Sequence, residues 1–145
     1  MMRRRDFIKQ SGIVLSGMMA PMSLLSAIKN DKMIQQTNFD VIVIGGSYAG
    51  LATAMALGRA LRNVLVLDAG NPCNKQTPHS HNFLTHDGRP PKEIANLAKQ
   101  QVLMYGSVSF KEGLATSGLK TKSGFEIRTE AGEVFTSKKL VFATG

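Results

Sequence analysis

The run Gly45-Gly46-Ser47-Tyr48-Ala49-Gly50 follows directly on Phe39-Asp40-Val41-Ile42-Val43-Ile44. A β-branched apolar run of that length predicts a buried strand. The helix predicted after the turn, from about Ala49 to Leu61, holds Ala49, Gly50, Ala52, Ala54 and Ala56, small residues suited to close packing on a sheet. Val64-Leu65-Val66-Leu67 then predicts a second strand, continuously apolar as expected where both faces of a parallel sheet are covered. Strand, glycine turn, helix and strand within about 30 residues make a βαβ unit with a right-handed crossover.

The turn has a specific use. Gly45 permits the tight exit from the strand, the next positions let backbone approach a pyrophosphate, and Gly50 lets helix and strand meet closely. Free N–H groups at the helix start, aided by the helix dipole, then hold the anion. The second glycine of the G-x-G-x-x-G pattern is Ser47 here, whose hydroxyl is a further phosphate donor. Asp68 ends the second strand, 23 residues after Gly45. A carboxylate there accepts from a ribose 2′-OH and repels a 2′-phosphate. On these residues alone NAD and FAD fit equally.

Gly70 to Pro91 reads as a long functional loop carrying three histidines. Pro90-Pro91 opens a second helix, whose buried stripe is Ile94, Leu97, Ala98, Val102 and Tyr105. Val108–Phe110 is expected as a third parallel strand. Ala115–Lys122, Gly124–Thr129 and Glu133–Thr136 alternate in polarity between glycine turns, as an antiparallel meander would. Leu140-Val141-Phe142-Ala143 is a separate buried strand before Thr144-Gly145. The predicted class is α/β: a Rossmann-like βαβ FAD-binding domain, with a parallel sheet and a three-stranded antiparallel β-meander, incomplete at its end.

The net charge of +8 raises the question of nucleic acid. Half of it belongs to residues 1–30, and the later lysines are scattered among acids without interleaved aromatics. That pattern is a solvated surface, not a nucleic-acid face. Cys73 is the single cysteine, so the chain has no internal disulfide or C-x-x-C pair. It is a loop thiol, with a redox role beside a flavin as the sharper alternative. His79, His81 and His86 have only Asp87 as an acidic neighbour and make no convincing metal set. Tyr48 fits either helix-start packing or a cofactor stack.

The chain opens Met1-Met2-Arg3-Arg4-Arg5-Asp6-Phe7-Ile8-Lys9, followed by an uncharged run from Gln10 to Ile28. This is a signal layout, and Arg4-Arg5 with Phe7-Ile8-Lys9 resembles the twin-arginine export signal, departing from it at Arg3. Residues 1–30 are therefore expected to engage export machinery, with 31–38 as linker and 39–145 as the folded part. The expected location is across the inner membrane, periplasmic or membrane-anchored, since no good A-x-A cleavage site is present.

Three stretches, Asp40–Ala54, Leu67-Asp68-Ala69-Gly70 and Leu140–Gly145 ending Ala-Thr-Gly, resemble the N-terminal part of the pyridine nucleotide-disulfide oxidoreductase superfamily, and within it the thioredoxin reductase-like flavoproteins. The resemblance covers residues 39–145 and turns the choice from NAD to FAD. It implies FAD pyrophosphate at Gly45, Gly46, Ser47, Ala49 and Gly50, and the adenosine ribose at Asp68 with Ala69 beside it. It implies adenine at the backbone of Ala115, the flavin side near His81-Asn82-Phe83-Leu84 with Asn82 as a contact, and Thr144 and Gly145 near the cofactor. It also implies NAD(P)H as hydride donor and homodimerisation of the full-length form. The nicotinamide domain and the later FAD segment of that family lie beyond Gly145, so no catalytic residue is named. A truncated exported reductase is expected, with a non-catalytic dinucleotide-binding module as the alternative and an NAD-only Rossmann dehydrogenase as a third reading.

Overall fold

The computed structural model describes residues 37–145. The predicted signal, residues 1–30, and most of the linker lie outside that range. Eight elements follow in order: β1 (Asn38–Ile44), α1 (Tyr48–Arg59), β2 (Val64–Asp68), α2 (Pro91–Leu103), β3 (Val108–Glu112), β4 (Ala115–Lys120), β5 (Phe125–Thr129) and β6 (Val134–Phe142). They form one six-stranded sheet ordered β3-β2-β1-β6-β5-β4. β3, β2, β1 and β6 run parallel, whereas β6, β5 and β4 form the antiparallel meander. The α/β Rossmann-like class is the one the sequence predicts.

The apolar strands divide their side chains between two cores. Val41, Val43, Val64, Val66 and Val108 face the helices, where Leu51, Ala54 and Val102 meet them. Ile42, Ile44, Leu65 and Leu67 face the opposite way, onto Ile127 of β5 and Phe135 of β6. Phe39 and Phe135 add a tilted ring pair 6.3 Å apart. Helices cover one face and the meander the other, which is why β1 and β2 carry almost no polar residues. Buried Leu or Val side chains of this kind each contribute about 1.5–3 kcal/mol by leaving water.

Two details differ from expectation. The segments Glu133–Thr136 and Leu140–Ala143, read as separate strands, are one nine-residue strand, β6. Ser137, Lys138 and Lys139 were the polar trio that divided them. Ser137 is buried and donates its hydroxyl to the Lys139 carbonyl at 2.8 Å, and Lys138 Nζ reaches Asp40 Oδ1 at 2.7 Å. The polar groups are satisfied in place, so the chain need not leave the sheet. β6 thereby pairs with β5 over Val134–Ser137 and with β1 from Thr136 to Phe142, Ile42 opposite Leu140 and Ile44 opposite Phe142. Its end is not the buried strand expected: Leu140 and Val141 are half-buried and Phe142 is 71% exposed.

The packing face of α1 is also narrower than its alanines indicate. Gly50, Leu51, Ala54 and Gly58 are buried, whereas Ala49, Ala52 and Ala56 are exposed. Gly50, Ala54 and Gly58 recur every four residues and share one stripe, with Leu51 beside it, and that face packs on the sheet. In α2 the expected stripe is present, deepest at Ile94 and Val102, with Pro91 in the first helical position. Tyr48 ties the two helix starts together, donating its hydroxyl to the Pro91 carbonyl at 3.1 Å.

Candidate functional site

The C-terminal ends of β1, β2 and β6 converge on one cleft of about 400 Å³. Gly45 leaves β1 with φ +106, a backbone that L side chains rarely adopt, and its N–H donates to the Leu67 carbonyl at 2.8 Å. A Cβ there would stand 2.5 Å from the Ala143 carbonyl oxygen. A Cβ on Gly50 would fall onto the Gly45 carbonyl oxygen. The turn therefore closes against α1 and β6 at once, and neither contact has room for a side chain.

Ser47 is the N-cap of α1, with extended backbone and a hydroxyl that makes no capping bond. The first N–H groups of a helix have no partner within it. The α1 start thus presents N–H donors and a spare hydroxyl to the cleft, a ready anion cradle.

Asp68, at the end of β2, faces this turn. Its Oδ1 accepts the Gly46 N–H at 2.8 Å and its Oδ2 accepts the Gly70 N–H at 3.1 Å. The carboxylate thereby ties the glycine turn to the start of the long loop. Each carboxylate oxygen has a second lone-pair site, so Asp68 retains capacity for a hydroxyl ligand.

Gly45, Gly46, Ser47, Asp68, Ala69, Ala115, Thr144 and Gly145, all selected from sequence, line the same cleft. Gly50 lies behind the turn and is buried, and Ala49 is exposed at the helix start outside the lining. Asn82 is not brought to the cleft. It holds φ +58 in the long loop, and its N–H donates to Asp87 Oδ1 at 2.7 Å. Asn71, Pro72, Cys73 and Asn74 from the long loop and Gly113-Leu114 before β4 add to the wall, and the sequence does not point to them as binding residues. Cys73 donates its thiol to the Gly145 carbonyl at 3.4 Å, which closes the cleft across 72 residues of chain. For the loop residues 71–74 the one signal is position, directly after Asp68-Ala69-Gly70.

A second cavity of about 560 Å³ shares Gly46, Ser47 and Asp68 and continues toward Lys75, Lys92 and Phe110. Lys99 Nζ lies 3.6 Å above the Phe110 ring and 3.5 Å from Glu112 Oε1. The histidines shape the loop. His79 Nδ1 is 3.0 Å from the Gly88 carbonyl, and His86 stands edge-on to Phe83, which in turn stands edge-on to Tyr48. Tyr48 is thus a packing residue of the helix starts. Among the described residues no three His, Cys, Asp or Glu side chains are grouped to hold a metal ion.

A parallel βαβ unit with a glycine turn, an acid at the end of its second strand and a meander beside the parallel strands defines a Rossmann-like α/β domain. The family model for pyridine nucleotide-disulphide oxidoreductases matches residues 39–145, and the chain belongs to that family. It is 38% identical over 113 residues to a protein of Arthroderma benhamiae named "Probable thioredoxin reductase", a match covering 74% of this chain and 28% of the relative. A thioredoxin reductase of Aspergillus oryzae is 34% identical over 110 residues, covering 74% of this chain and 35% of its own length. The crystal structure of an oxidoreductase from Agrobacterium tumefaciens superposes with a TM-score of 0.72 at 42% identity, covering 74% of this chain and 37% of that one. The chain spans about a third of the length of these relatives.

Proposed function

We propose that residues 39–145 hold the FAD dinucleotide of an NAD(P)H-dependent flavoprotein oxidoreductase. The observation that carries this reading is the single cleft in which the α1 start, Asp68, Ala115 and Thr144-Gly145 meet. The pyrophosphate belongs at the N–H groups of Ser47 to Gly50 and at the Ser47 hydroxyl. Asp68 is the acceptor for the adenosine ribose, and Ala115 lies where adenine would meet backbone. Bound FAD supplies hydride acceptance from a nicotinamide and onward electron transfer. The chain's own residues bind, orient and neutralise charge. The twin-arginine-like start supports export of the protein, and replacing Arg4 and Arg5 with Lys is expected to leave the precursor in the cytoplasm. Unchanged export of that variant would remove the proposal.

The test is flavin retention by the purified full chain. Wild type is expected to carry a flavin spectrum through gel filtration. Ser47→Glu puts a carboxylate at a helix N-terminus, which the dipole tolerates, but points a negative charge at the pyrophosphate. It should fold normally by circular dichroism and lose the flavin. Gly50→Val should lose it as well, through collision with Gly45. A chain that retains NAD and not FAD, or a Ser47→Glu variant that keeps its flavin, would refute the reading.

A further inference from the structure

β1, β2 and β3 are parallel, so their starts at Asn38, Val64 and Val108 share the end of the domain opposite the cleft. α1 ends there, about 18 Å of helix rise from Tyr48. Gly58 of that last turn packs against Tyr105, and Ser107 Oγ donates to the Gly58 carbonyl at 3.5 Å, so the ends of α1 and α2 are neighbours. At this junction stand Leu61, 86% exposed, and Met104, 83% exposed, with Leu103 beside them.

Leu61 is doubly misplaced for a soluble surface. Besides its exposure it occupies the left-handed backbone position just past the helix, with φ +55. Glycine or asparagine normally takes that position, because a Cβ is penalised there. A branched apolar residue that is both strained and wet gains nothing for the fold.

The charge around it is positive. Arg59 and Arg62 flank Leu61, and no ion pair joins either to a carboxylate among the described residues. Asp40 near this end is ion-paired with Lys138 at 2.7 Å and also feels the charge of Arg62, which leaves Arg59 and the excess of the three cations over one acid as the positive character of the patch. Thr37 and Asn38 lie at this end too: the Thr37 carbonyl accepts the Thr136 N–H, and Asn63 Nδ2 donates to the Asn38 carbonyl.

We infer that the strand-start end of the domain, through Leu61, Met104, Arg59 and Arg62, lies against an anionic lipid surface, with the cleft facing away from it. Exposed apolar side chains within a basic rim match an interfacial contact, in which the apolar groups enter the headgroup boundary and the cations meet lipid phosphate. The inference rests on the described residues and is independent of which nucleotide the cleft takes.

The experiment places an environment-sensitive thiol dye on the full chain, in a Cys73→Ser background, at Met104→Cys, Leu61→Cys or Leu84→Cys. Leu84 is 88% exposed, lies on the long loop beside Phe83 near the α1 start, and serves as the control at the opposite end. On vesicles of phosphatidylglycerol with phosphatidylcholine, dyes at 104 and 61 should shift to the blue and escape an aqueous quencher. The dye at 84 should do neither. Replacing Arg59 and Arg62 with Gln should return the dye at 104 to the quencher even while the chain stays vesicle-bound. A dye at 104 that remains quenchable on bound vesicles overturns the inference. So does one already shielded without vesicles, which would mean protein covers the patch. Equal shielding on phosphatidylcholine alone, or insertion of position 84 instead, also overturns it.

Discussion

Asp68 was selected from sequence as a ribose acceptor, and the structure gives it a second task that precedes any ligand. Its two oxygens each take a backbone N–H, one from the glycine turn and one from Gly70. Hydrogen bonds to a charged group are worth about 1.5–3 kcal/mol. Asp68→Ala is therefore expected to cost roughly that amount in urea unfolding of the flavin-free protein, because both N–H groups lose their acceptor. Asp68→Asn, which keeps one carbonyl oxygen, should cost less. If Asp68→Ala unfolds at the wild-type midpoint without flavin, the tie is energetically idle. The identity of Asp68 was legible because an acid closing a strand at that distance from a glycine turn is a one-dimensional pattern. Its bond to Gly70, and the Cys73 contact with Gly145, depend on how the long loop folds back, and nothing periodic in residues 70–91 records that. Asn82 illustrates the limit: its polarity and position in a functional loop were visible, but its left-handed backbone and its bond to Asp87 hold it within the loop, away from the cleft.

Elements with a strong hydrophobic period were legible, and the error fell where polarity and pairing disagree. β6 changes role along its length, antiparallel partner to β5 first and parallel neighbour of β1 later. A strand that changes environment halfway has no single alternation, so it reads as two. The hinge of that change is the Lys138–Asp40 pair, which joins β6 to β1. The Lys138 hydrogen bond, and after it the Asn63 N–H, hold the Asp40 carboxyl below the usual aspartate range. A carboxylate depressed in the fold contributes stability that is fully present above the ordinary aspartate pKa and is lost as pH falls through the depressed value. Lys138→Met removes the largest cause. Its urea midpoint should lie below wild type at neutral pH, and the two should converge in acid as Asp40 protonates in both. A gap that stays constant from neutral to acid pH would show that the pair contributes through the lysine stem alone.

At the scale of the molecule, the cleft is where otherwise separate parts of the chain meet: the β1–α1 turn, the end of β2, the β3–β4 link at Leu114-Ala115 and the end of β6. Those four segments are joined there by the Asp68 side-chain ties and by backbone bonds from Gly45 to Leu67, from Gly113 to Asp68 and from Ala143 to Ile44, with the Cys73 thiol on Gly145. A dinucleotide spanning them binds the folded state and has no counterpart site in the unfolded chain, so it must stabilise the whole domain rather than one element. At FAD one hundred times above its dissociation constant, that linkage is worth about 2.7 kcal/mol. A domain of this size gains about 4–8 °C in Tm per kcal/mol, so the unfolding transition should rise by roughly 10 °C or more in excess FAD. The rise should grow with the logarithm of FAD concentration, and Ser47→Glu should show none of it while keeping the wild-type Tm without ligand. A cooperative transition that stays put across that range would mean the four segments form a cleft without forming a flavin site, which would leave the fold assignment standing and remove the cofactor from it.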